Sequence, residues 1–139
     1  TPAGLRAVFV DYLQLIAPPA ETRRENRERQ VAELSRRFKL MAGELKCPVV
    51  LLAQINRESE KEQRRPRLSD LRESGAIEQD ADRVWFLYMP EGNNPKNAES
   101  AGEIQVALYQ AKCRNGRPGI ETLLNFNRPI FKFSPASTT

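Results

Sequence analysis

Ala7-Val8-Phe9-Val10-Asp11 and, further along, Val49-Val50-Leu51-Leu52-Ala53-Gln54 share one pattern: consecutive apolar residues that end abruptly in a polar side chain. Unbroken apolar runs of this length suit strands covered on both faces, as in a parallel sheet, where a one-sided strand would alternate. Between them, Val31, Leu34, Phe38, Met41 and Leu45 recur at steps of three and four, and Glu33 is spaced to meet Arg37 on the opposite face. That is the period of an amphipathic helix. A strand, a helix and a second strand in this order predict an α/β unit with parallel central strands.

Working outward, a third apolar run, Val84-Trp85-Phe86-Leu87, reads as another strand of the same kind. The segment from Asn56 to Ser69 is dense in Arg, Lys and Glu and reads as a mobile loop, and Pro90 to Gly102 reads as a second loop. After Gly102 the pattern turns to alternation, with Ile104, Val106 and Leu108 on one face. Short strands are expected around Leu123–Phe126 and Ile130–Phe133, with turns at Arg114-Asn115-Gly116 and Asn127-Arg128-Pro129, which predicts an antiparallel C-terminal hairpin extension. One long helix and a short one around Ala76–Ala81 are too few to cover both faces of a parallel sheet. A layer is therefore expected to come from outside residues 1–139.

Composition narrows the chemistry. The 139 residues are 40% hydrophobic and 29% charged, the balance of one globular domain. No apolar run nears the roughly 18 residues that cross a bilayer, so no membrane contact is expected and a cytoplasmic location is. Histidine is absent, which excludes serine and cysteine triads and imidazole-based zinc sites. Cys47 and Cys113 form neither a disulfide framework nor a metal-binding spacing. A net charge of +4 from 22 basic and 18 acidic residues is compatible with nucleic acid but does not demand it.

Asp11 and Gln54 each follow a strand directly, so both are expected at carboxyl ends of parallel strands, where open α/β sheets bind ligands. A carboxylate there is costly to desolvate unless a cation meets it. An apolar strand ending in Asp is the Walker B pattern, weak when taken alone. Lys112 and Arg114 leave a strand two residues apart, so both side chains are expected on one side of a hairpin. Arg72 offers a forked cation suited to phosphate, and Gly75 allows close backbone approach to a nucleic-acid strand.

Ser69-Asp70-Leu71-Arg72-Glu73-Ser74-Gly75-Ala76-Ile77-Glu78-Gln79-Asp80-Ala81-Asp82 resembles the DnaB family of hexameric replicative helicases. Asp11-Tyr12-Leu13-Gln14-Leu15, Ala53-Gln54-Ile55-Asn56-Arg57, Lys112-Cys113-Arg114-Asn115-Gly116 and Phe126-Asn127 extend the resemblance over nearly the whole chain. It implies a partial RecA-like core of the P-loop NTPase type, with ATP and Mg2+ as cofactors. Asp11 would then hold the Mg2+ shell through water, Gln54 would sense the γ-phosphate, and Lys112 and Arg114 would reach the nucleotide of the adjacent subunit. Arg72, Glu73 and Gly75 would grip single-stranded DNA in the channel of a hexameric ring. Primase and a helicase loader would be partners.

The chain departs from that family in one respect: it has no G-x-x-x-x-G-K-S/T loop to cradle phosphates. The resemblance places that loop and the water-activating glutamate ahead of the Walker B strand. Residues 1–139 are therefore expected to be the C-terminal half of the motor domain, inactive alone as ATPase or helicase. The competing expectations are a non-catalytic module that binds DNA or partner subunits, and a RecA/RadA-like recombination ATPase fragment, which would share Walker B but not the Asp70–Asp82 stretch.

Overall fold

A computed structural model describes residues 4–56, 62, 64–71, 75–90 and 102–136. The chain divides into two units, one built from the described residues of 4–56 and 68–81, the other from those of 57–67 and 82–136.

In the first unit, β1 (Val8–Val10) and β2 (Val49–Leu51) pair in parallel, with Val8 beside Val49 and Val10 beside Leu51. The helix α1 (Arg27–Leu45) connects them. Asn26 caps its start by accepting the Arg29 N–H at 3.0 Å, which satisfies one of the donors a helix leaves open. Lys46 ends it in a left-handed conformation at φ 51°. The expected apolar stripe faces inward: Val31 and Leu34 are buried against Leu13, with Phe38, Ile16, Leu51, Ala53 and Ile77 packed around them. On the outer face Arg37 meets Glu33 at 2.8 Å, as the spacing anticipated. The short helix α2 (Gly75–Asp80) is tied to α1 by the buried Ser35, whose hydroxyl donates to Asp80 at 2.8 Å.

The described residues cover only one face of the β1–β2 pair. Phe9 is 72% exposed, because α1 covers one side of a two-stranded ribbon and the described residues of this unit supply no helix for the other.

The second unit is a four-stranded antiparallel sheet in the order β3 (Arg83–Tyr88), β4 (Glu103–Cys113), β5 (Ile120–Asn127), β6 (Lys132–Pro135). The third apolar run therefore pairs antiparallel with β4, against the expectation of a further parallel strand. It is also one-sided: Val84 and Phe86 are buried while Trp85 and Leu87 are largely exposed. Its apolar outer face concealed the alternation that a polar outer face would have shown.

The C-terminal hairpin extension forms as expected, with Phe126 opposite Phe133 and their rings stacked at 4.5 Å. The last strand starts at Lys132 rather than at Ile130, because Phe131 turns the chain at φ 50°. In the tight turn after β4, a Cβ on Gly116 would lie 2.9 Å from the Cys113 sulfur, which favours glycine there.

Within the described part of the Asn56–Ser69 loop, Pro66 is buried and the Arg65 side chain meets the sheet. The Arg65 guanidinium lies 3.0 Å from Glu121, donates to the Tyr88 hydroxyl at 3.3 Å and covers the Tyr109 ring at 4.7 Å. Most of the second loop, 91–101, lies outside the described residues.

Candidate functional site

Parallel pairing decides the first site. Because Val10 stands beside Leu51, the chain leaves β1 and β2 at the same edge, and the polar residues that follow emerge together. Asp11, Tyr12, Leu52, Ala53 and Gln54 line one cavity of about 350 Å³ at that edge. The ladder runs past the strand ends: Leu52 donates its N–H to Val10 at 3.0 Å, and Leu13 donates to Leu52 at 2.8 Å. The peptide between Asp11 and Tyr12 is cis.

Gln54 is held at its backbone. The Gln14 side chain accepts the Gln54 N–H and donates to the Gln54 carbonyl, each at 3.2 Å, leaving the exposed Gln54 side chain clear of these bonds. Arg27, at the start of α1, donates to the Gln14 carbonyl at 3.2 Å and steadies the same segment. Gln14 carried no assignment from the sequence, since its role depends on a partner forty positions away.

Asp11 is exposed at the cavity mouth. Among the described residues no three His, Cys, Asp or Glu side chains gather into a metal cage. One exposed carboxylate fits a magnesium ion that keeps most of its water and takes other ligands from a nucleotide, and it does not fit an all-protein site.

Lys112 and Arg114 belong to the second unit. Val84 pairs with Lys112 but Trp85 pairs with Gln110, so Ala111 is bulged out immediately before Lys112. Bulges kink a strand and re-aim the side chains beside them. Arg114 follows the strand end and touches Asp82 twice: its N–H donates to the Asp82 carbonyl at 2.8 Å, and its Nη1 lies 3.0 Å from Asp82 Oδ1. The Arg114 side chain is 47% exposed, Lys112 half-buried.

Arg72 and Glu73 lie outside the described residues. Gly75 begins α2, and a Cβ there would meet no described atom within 4 Å, so packing against the described residues does not require glycine at this position. Asp82 and Arg65 were missed as anchors, because charged residues near loops are usually solvated and only three-dimensional pairing singles them out.

These residues sit in a chain whose positions 1–135 match the family model described as DnaB-like helicase C terminal domain. The chain is 46% identical over 118 residues to the replicative DNA helicase DnaB of Geobacillus stearothermophilus, a match that covers 84% of this chain and 25% of that protein. Against the replicative DNA helicase DnaB of Haemophilus influenzae it is 45% identical over 131 residues, 94% of this chain and 27% of that one. The chain thus spans about a quarter of the length of these curated relatives.

Among solved structures, one described as an ATPase domain superposes with a TM-score of 0.79 at 40% identity, covering 96% of this chain and 46% of that one. A DnaB-like replicative helicase described with its interactions with primase gives 0.70 at 42% identity, over 87% and 28%. No described helix is long and apolar enough to cross a membrane. A parallel pair carrying Asp11 and Gln54 at one edge, an antiparallel sheet ending in Lys112 and Arg114, and a family match over nearly every residue lead to one conclusion: the chain belongs to the DnaB-like helicase C-terminal domain family.

Proposed function

We propose that residues 1–139 form the C-terminal half of the ATP-driven motor of a replicative DNA helicase. The observation that carries this is the cavity at the carboxyl edge of β1 and β2, where Asp11 and Gln54 emerge side by side. In this reading the missing cover over Phe9, and the phosphate-cradling loop, belong to the preceding half of the same motor.

Asp11 would hold Mg2+ through water, and the ion would neutralise charge on the nucleotide phosphates. Gln54, with its backbone fixed by Gln14, presents its amide toward the terminal phosphate and registers its loss on hydrolysis. Lys112 and Arg114 extend from the sheet end toward the nucleotide of a neighbouring protomer, where a cation in place stabilises the transferring phosphoryl group by ~10³ to 10⁵ in rate. Arg72, Glu73 and Gly75 would contact single-stranded DNA, with Gly75 leaving room for close backbone approach. A hexameric ring, primase and a helicase loader are the partners this reading implies.

The test is ATPase and strand displacement by the full-length protein that carries this segment, beside residues 1–139 alone. Turnover by the longer protein should fall at least ~100-fold in Asp11→Ala and in Arg114→Ala, and the short chain should show none. ATP turnover by residues 1–139 that Asp11→Ala abolishes would overturn the reading.

A further inference from the structure

We propose that Asp82 is the positioning residue for the Arg114 guanidinium, holding it ready for the neighbouring protomer's nucleotide. This rests on the reading of Arg114 as the cation supplied across a subunit boundary.

The contact is double. The Arg114 N–H donates to the Asp82 carbonyl at 2.8 Å, which continues the β3–β4 ladder one step past the Arg83–Cys113 pair. The Asp82 carboxylate then meets Nη1 of the same arginine at 3.0 Å. The sheet thus sets where the carboxylate stands, and the carboxylate sets where the guanidinium stands.

Exposure decides what the pair is for. The side chains are 47% and 57% exposed, so water screens their attraction and the pair adds little to the stability of the fold. Its effect is on orientation. A long arginine side chain at a turn samples many rotamers, and a transition state gains most from a cation that needs no reorganisation when charge develops. A guanidinium has five donors in a planar fork, so it can keep a carboxylate on one edge and offer others to a phosphate. Asp82 also closes the stretch Ser69–Asp82, only seven residues beyond Gly75, so the anchor is covalently close to the candidate DNA contacts.

The experiment compares Asp82→Ala, Asp82→Asn, Asp82→Glu, Arg114→Ala and the double variant Asp82→Ala/Arg114→Ala in the full-length helicase. Hexamer content and thermal midpoint are followed in each to separate misfolding from mispositioning. Asp82→Ala should lower kcat by up to about fivefold with KM for ATP unchanged, the most an exposed pair can contribute to orientation. Asp82→Glu should recover most of it. The double variant should be no slower than Arg114→Ala, because the anchor has nothing left to hold. Binding of ADP–aluminium fluoride should weaken in Asp82→Ala while ADP binding stays unchanged.

If Arg114→Ala is crippled and Asp82→Ala keeps or exceeds the parent kcat, the anchor is overturned while the cross-subunit role of Arg114 stands. If Arg114→Ala turns over normally, both are overturned.

Discussion

The side-chain amide of Gln14 grips the main chain of Gln54 at both its donor and its acceptor, 3.2 Å each way, and so fixes the backbone of the residue that shares a cavity with Asp11. An amide can do this because it carries a donor and an acceptor at one end, where a carboxylate would set oxygen against the Gln54 carbonyl.

Gln14→Ala and Gln14→Glu are therefore expected to loosen Gln54 without unfolding the unit, at about 1 kcal/mol for these near-surface bonds. In the full-length protein, Gln54→Ala should remove the stimulation of ATP turnover by single-stranded DNA, and Gln14→Glu should reduce that stimulation in part. ATPase rates with and without DNA check both. Unchanged stimulation in Gln54→Ala would separate this residue from any coupling role.

Leu13 is fully buried between the Asp11 and Gln14 segments and packs on Val31 and Leu34. Leu13→Ala should destabilise the first unit by roughly 2–5 kcal/mol, through lost transfer energy and the cavity left behind. Urea denaturation monitored by far-ultraviolet circular dichroism, which reports α1, measures it. Leu15→Ala, at a position 69% exposed, is the matched control and should shift the midpoint little.

Tyr88 has a directional pH signature. Burial first, then the hydrogen bond to Glu121, raise its phenol above the ordinary 10.0, and the donor from Arg65 offsets this only in part. Its proton is thus held more tightly in the folded chain than in the unfolded one. The stability this adds is complete below pH 10 and is lost as pH climbs through the raised value. Absorbance of tyrosinate against pH should show a late-titrating tyrosine that Tyr88→Phe deletes. Thermal midpoints of the parent should fall more steeply above about pH 10 than those of Tyr88→Phe.

Arg72→Ala in the full-length protein should weaken single-stranded DNA binding for all sequences alike. It should also flatten the dependence of log affinity on log salt by about 0.7 for each phosphate contact removed. Fluorescence anisotropy over a salt series measures the slope, and an unaltered slope with unaltered affinity would take Arg72 out of the DNA contacts.

Much of the fold was legible residue by residue. The three- and four-residue steps from Val31 to Leu45 located α1 and its buried face, because helical period and burial are both local properties. The runs ending in Asp11 and Gln54 located β1 and β2, and parallel pairing then leaves one place for the two polar residues, the shared carboxyl edge. The turn at Arg114-Asn115-Gly116 followed from its residue types, since asparagine and glycine favour turns.

Tertiary structure alone decided the rest. Val84–Leu87 carries no mark that distinguishes a parallel from an antiparallel partner, and the choice of β4 was made by long-range pairing. Arg65 could not be told from the other arginines of its loop until Tyr88, Glu121 and Tyr109, brought together from three strands, met its guanidinium. Gln14 with Gln54, and Asp82 with Arg114, are pairs distant along the chain. Periodicity records which side of an element is buried, whereas the identity of the neighbour depends on how separate elements pack, and no single segment contains that information.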